Sequence, residues 1–179
     1  MKTTHIFLNR IVLLSGLLIS QLTVSSEPLA LQSEFHTDEV KWVLEKGDSS
    51  VQGTAALRLK NGTIKNCSGS SVELLPVANY SNERIFKTYG NNDSGQVLLE
   101  DNPPKFTPDA KEYHDLVLKS SCNEKGEFTF NDVHSGDYYV IAFIIWDTNK
   151  NGATSKTGGA VMKRIKVKAT SKNKGTLKN

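Results

Sequence analysis

Cysteine, histidine and long apolar runs are scarce in this sequence, and each shortage narrows what the chain can do. Of its four histidines, His36, His114 and His134 are the ones outside the first 26 residues. They lack zinc-ligand spacing, and the two cysteines cannot supply the remaining ligands. After residue 26 no apolar run approaches the 20 or so residues that a membrane-spanning helix needs. The Gly-x-Ser-x-Gly elbow of serine hydrolases is missing. The nearest stretch, Cys67-Ser-Gly-Ser-Ser71, enters a strand rather than leaving one, with no histidine arranged as a base. Aromatics do not interleave with the basic residues, so no stacking platform for single-stranded nucleic acid is expected. No cofactor and no nucleic-acid partner are predicted.

What the first residues do have is an address. Lys2 and Arg10 precede IVLLSGLLI (residues 11–19), and small residues follow at Val24, Ser25 and Ser26. This is the layout of a cleaved secretory signal peptide over 1–26, and it predicts a periplasmic or secreted protein. No cysteine stands near the cleavage site to carry a lipid. Cleavage removes two basic residues and no acid, so the formal charge falls from +3 to +1. The remaining basic excess is local, running from Lys163 to Lys178 without an acid. It reads as a charged edge strand followed by a solvated tail.

The mature part suits one domain with a real core. Residues 37–47 read as a short helix, with Thr37 able to cap it, Asp38 and Glu39 in its first turn and Lys46-Gly47 at its exit. Val40, Val43 and Leu44 form its apolar face, and Trp42 lies beside that face to dock on a sheet. The grammar then becomes β, with strands predicted at 51–59, 71–76, 97–99, 113–120, 127–131, 138–146 and 159–167. A helical insertion near 79–90 carries Ile85, Phe86 and Tyr89 on one face and stops at Gly90. YYVIAFIIW (138–146) does not alternate, so both its faces need cover. The helix at 79–90 is the expected lid.

Seven short strands point to an antiparallel sandwich. Residues 123–140, NEKGEFTFNDVHSGDYYV, sharpen that expectation. A Gly turn precedes a strand with alternate phenylalanines, a second Gly turn follows, and an aromatic opens the next strand. This run resembles the central signature of carboxypeptidase regulatory-like domains, with Asn123 where that pattern has Asp. Gly69 to Pro76, Tyr80, Glu83-Arg84 and Gly158-Gly159 resemble a bacterial exported subset of the same family. The resemblance spans roughly residues 49–170. It implies a seven-stranded transthyretin-like (prealbumin-like) Greek-key sandwich over 49–179, preceded by a helical segment at 27–48. It implies little about activity. Transthyretin-like hydrolases of purine breakdown products end in an aromatic-Arg-Gly-Ser tail, and this chain ends KGTLKN instead.

Two further motifs have plain readings. Cys67 and Cys122 are the sole cysteines of an exported chain, which predicts a disulfide between them. Asp147 to Gly152 matches half of a calcium loop, but Gly158 stands where the bidentate Glu should be, so a turn between strands is expected. Four Asn-x-Ser/Thr triplets, at Asn61, Asn66, Asn79 and Asn92, bear on function only in a host that glycosylates what it exports. The sequence thus predicts a non-enzymatic binding or structural module of the cell envelope, recognising protein, peptide or glycan. The alternative is a small hydrolase with an unfamiliar site.

Overall fold

In the computed structural model, residues 27–150, 152–170 and 172–177 are described. The predicted signal peptide lies outside the described residues. Nine strands are present: β1 (Ser49–Arg58), β2 (Ile64–Asn66), β3 (Ser71–Pro76), β4 (Ser94–Leu98), β5 (Leu118–Ser121), β6 (Glu127–Val133), β7 (Gly136–Lys150), β8 (Ala153–Val167) and β9 (Lys172–Leu177). The helices are α1 (Thr37–Val40), α2 (Asn79–Tyr89) and α3 (Lys111–Asp115), with short 3₁₀ turns at Lys41–Leu44 and Leu99–Asp101.

The strands form two sheets. One runs β4-β8-β7-β3-β5 and is antiparallel throughout. The other is built on β1, which pairs antiparallel with β2 and β6 and parallel with β9. Alternation decides which side chains meet between the sheets. Phe128 and Phe130 of β6 are buried while Glu127 and Thr129 between them are exposed. They join Leu57 of β1, Leu74 of β3 and Tyr138, Val140 and Ile144 of β7 in the main core. Full burial of an aliphatic or aromatic side chain of this size contributes roughly 2 kcal/mol.

The other face of β7 has its own core. Tyr139 and Ile141 pack with Leu75, Met162, Tyr80, Ile85 and Tyr113. The lid is therefore real, but its contact residues differ from the expected set. Tyr80 and Ile85 are buried, Tyr89 is half-buried, and Phe86 is 57% exposed. The helix turns about 100° per residue, so an inward Ile85 rotates Phe86 out. Tyr139 also donates its hydroxyl to Asn82 Oδ1 at 2.6 Å, locking lid to sheet. α2 starts where the Ala78 amide donates to Ser81 Oγ, 2.8 Å, half of a capping box. It ends at Gly90, whose φ of 79° suits glycine.

Three other expectations need correction. Among the described residues nine strands replace seven, because β2 is short and wholly exposed and β9 lies in the lysine-rich tail. That tail is not simply solvated: β9 adds to β1 in parallel, and Leu177 is buried. The charged edge expected from Lys163 onward starts where β4 stops, since β4 pairs with β8 from Gly159 to Lys163 and overlaps it at Lys163 alone. The strand predicted at 113–120 is split into α3 and β5. Tyr113, Leu116 and Val117 are all buried, a spacing of three and four that fits a helical turn rather than a pleat.

The N-terminal helix tightens to 3₁₀ after Val40. With three residues per turn, Val40 and Val43 stack inward while Leu44 swings out to 57% exposure. Trp42 docks as expected, 5.5 Å from the Tyr138 ring and against Gly136. A Cβ at Gly136 would stand 2.4 Å from the indole, so only glycine allows that approach.

Candidate functional site

Cys67 and Cys122 are bonded, S–S 1.97 Å, as expected. The strand ends that carry them are tied by Gly69 N–H to Cys122 O (3.1 Å) and Cys122 N–H to Ser70 O (2.9 Å). The Cys67-Ser-Gly-Ser stretch is thus a structural anchor. Asp147 to Lys150 does not form the expected loop. β7 and β8 stay paired from Trp146↔Thr157 to Lys150↔Ala153, and Asp147 faces Lys156 Nζ at 3.3 Å. His36, His114 and His134 sit on separate parts of the chain, before α1, in α3 and between β6 and β7, and among the described residues no three His, Cys, Asp or Glu side chains converge as a metal cage.

The site with chemical content lies on the outer face of the five-stranded sheet, where the lid stops short. There a groove of about 550 Å³ is floored by Glu73 and Leu75 of β3 and Ile141 and Phe143 of β7. Arg84, Ile85, Thr88 and Tyr89 of α2 make one wall. Tyr113 and His114 of α3, with Val117, make the other, and Pro104, Lys105, Phe106 and Asp109 form the mouth. A volume of this size is in the range that holds small ligands.

Arg84 organises the mouth. Its Nη1 donates to Asp109 Oδ1 at 2.6 Å and to the Tyr80 hydroxyl at 3.2 Å. Its guanidinium lies 4.4 Å from the Phe106 ring centre and 4.6 Å from that of Tyr113, close enough for cation–π attraction. The same Asp109 oxygen meets His114 Nε2 at 2.9 Å. Partial burial opposes the charge on Asp109, yet the bonds to His114 and Arg84 outweigh it and hold its carboxyl below the usual range. Arg84, Asp109 and His114 are mutually satisfied.

Glu73 is the opposite case. It is half-buried and makes no hydrogen bond or ion pair among the described residues. Lys119 sits directly across the β3–β5 pair without closing an ion pair. Burial pushes the Glu73 carboxyl above its ordinary value, and the fields of Lys119 and His114 pull it down only partly. The nearby Tyr89 phenol is also raised, by burial first and then by the Glu73 charge. The Glu73 oxygens are not among the buried polar atoms left without a partner, so the carboxylate is reached by solvent and is open to a donor brought by a ligand.

The groove is further tied by the N-terminal segment. The amides of Gln32 and Ser33 donate to the Glu83 carboxylate at 2.7–3.0 Å, and Leu29 bridges to the strand-like segment at Phe106. A second depression, about 450 Å³, lies on the outer face of the β1 sheet and includes Gln52, Thr54, Glu127 and Thr129. Its one carboxylate, Glu127, is exposed and accepts from Asn123 Nδ2 at 3.0 Å.

None of the groove residues was singled out as a site by the sequence. The signal was available for Glu73, a lone acid inside the apolar strand SVELLP. For Arg84 and Asp109 it was not, because 25 residues separate them.

No protein-family model matches the chain, and no curated protein matches it. Among solved structures, the chain is similar to a protein from Pseudomonas aeruginosa described as a "putative carbohydrate binding protein". The TM-score is 0.64 at 21% identity, covering 81% of this chain and 97% of that one. At that identity the likeness concerns the fold.

Proposed function

We propose that this protein is a non-enzymatic binding module of the cell envelope, exported through its leader, and that the groove over Glu73 takes a glycan. The observation that carries the reading is the half-buried Glu73 carboxylate without a partner, set in a groove with the Phe106 and Tyr89 rings. Sugars offer hydroxyl donors to such a carboxylate and an apolar ring face to an aromatic side chain. The disulfide fits an oxidising compartment. The description of the Pseudomonas protein as carbohydrate-binding points the same way. The resemblance to carboxypeptidase regulatory-like domains, with its transthyretin-like topology, is part of this proposal.

The second reading, a small hydrolase, draws on one observation. Glu73 is pushed toward its protonated form and Asp109 toward its ionised form in one groove, the polarity of an acid and base pair. Against it, Asp109 is committed to Arg84 and His114. The one aliphatic hydroxyl in the lining, Thr88, donates to the Arg84 carbonyl at 2.8 Å.

A glycan array, followed by NMR titration of the best binder, tests the proposal. Binding without release of reducing sugar, with shifts centred on Glu73, Tyr89 and Phe106, is expected. Shifts confined to the β1 sheet would refute this site, and turnover would favour the hydrolase.

A further inference from the structure

Within the glycan reading, on which this step rests, we infer that the groove selects sugars bearing a free, protonated amine. Three features of the lining lead there. Arg84, Asp109 and His114 neutralise one another through direct contacts, so they have little charge left for a ligand. The charge on the floor, Glu73, has no contact partner among the described residues. The remaining cations near it stand back from it. Lys119 is exposed on β5, and Lys105 is exposed at the mouth. Neither makes an ion pair with Glu73 among the described residues. The titratable and charged groups of α2 and α3 that share the groove with Glu73 are Tyr89, Arg84, Tyr113 and His114, and the fields of His114, Tyr89 and Tyr113 couple to it.

A partly desolvated carboxylate gains most from a donor that also brings positive charge. Charge-assisted hydrogen bonds are roughly twice as strong as neutral ones, and the attraction grows as water is excluded. A hydroxyl satisfies the acceptor but leaves the charge. An acetamide adds bulk and one neutral donor. An ammonium satisfies both, and Glu73 has room to receive it because the groove is open above β3. The opposite polarity, an acidic sugar, would place a second anion against Glu73.

The test uses three β-1,4-linked disaccharides that differ only at carbon 2: glucosamine, N-acetylglucosamine and glucose. Calorimetry or NMR titration is run at about pH 6.5, where an amine titrating near 7.7 is charged. The amine disaccharide should bind roughly tenfold tighter than the other two. Glu73→Gln, which keeps shape and removes charge, should abolish that preference and also weaken the neutral disaccharides, whose hydroxyls donate to the same carboxylate, so that all three sugars bind within about twofold of one another. A thermal melt of the variant reports that it is folded. Lys105→Ala should leave the preference intact. Equal binding of all three sugars, unchanged by Glu73→Gln, overturns amine selection while the glycan reading stands. A preference that survives Glu73→Gln also overturns it. If none of the three binds, amine selection fails, and the array of the preceding subsection decides the glycan reading separately.

Discussion

Arg84 Nη1 and Asp109 Oδ1 are 2.6 Å apart, a bond that ties α2 to the segment leading into α3. The two partners are unequal. The Arg84 side chain is 12% exposed and Asp109 is 45% exposed. Arg84 should therefore act mainly through its contacts with Phe106 and Tyr113. Arg84→Ala is expected to cost about 2 kcal/mol, from lost ring contacts and packing of its stem. Asp109→Asn should cost about 0.5 kcal/mol, as solvent screens the pair. Urea melts compare them. Equal losses would mean that the ion pair, not the stack, holds the mouth together.

The lid makes a sharper contrast between neighbours in sequence. Ile85→Ala deletes a buried side chain that is 3% exposed and should cost about 3 kcal/mol. Phe86→Ala alters a residue that is 57% exposed and should stay within about 0.5 kcal/mol. Denaturant midpoints of the two variants decide it, and a reversed order would overturn the packing of α2.

The disulfide closes a loop of 55 residues. In the chain-entropy picture this restrains the unfolded chain by about 4 kcal/mol. Thiol titration of unfolded, unreduced protein should find no free thiol. Replacing both cysteines by alanine should lower stability by an amount of that order. A double variant as stable as the parent would show that the bond adds nothing beyond packing.

Glu83 holds the N-terminal segment through the amides of Gln32 and Ser33. Those backbone bonds, before any other cause, keep its carboxyl below the usual range. A lowered acid stabilises above its unfolded value, and that stabilisation is lost as pH falls through the lowered value. Protection of the Gln32 and Ser33 amides, taken relative to the intrinsic exchange rate at each pH, should fall as the solution is acidified through that window. Glu83→Gln should lower that protection at neutral pH. Protection at both amides that ignores both changes would place the anchor elsewhere.

The β grammar, the Trp42 dock, the lid and the disulfide were legible because each rests on local periodicity or on a count. The unalternating run at 138–146 announced that β7 has two covered faces, and Tyr138 and Tyr139 belong to different cores. β9 was not legible. Its pairing with β1 joins segments about 120 residues apart, and its lysines imitate a solvated tail. Tyr113 misled for a related reason, since an aromatic suits a strand or a helix until its partners Phe35 and Tyr80 are in place. The groove was hidden because Glu73, Arg84 and Asp109 come from three elements that meet only in the folded chain.

Glu73 gives the last prediction, and its sign is the reverse of that for Glu83. Burial raises its carboxyl, so the folded state holds a proton that the unfolded state releases over part of the pH range. Stability from this group therefore falls as pH rises from the ordinary Glu value of about 4.3 through the raised one, then stays low. Glu73→Gln removes the ionisation and keeps the shape. The variant should melt above the parent at neutral pH, and the two curves should converge below about pH 4, where the parent is protonated in both states. Thermal melts of both proteins from pH 3 to 8 measure it. A variant less stable than the parent at neutral pH would mean that the carboxylate already has a partner. The groove floor would then be structural rather than a place kept open for a ligand at a cost in stability.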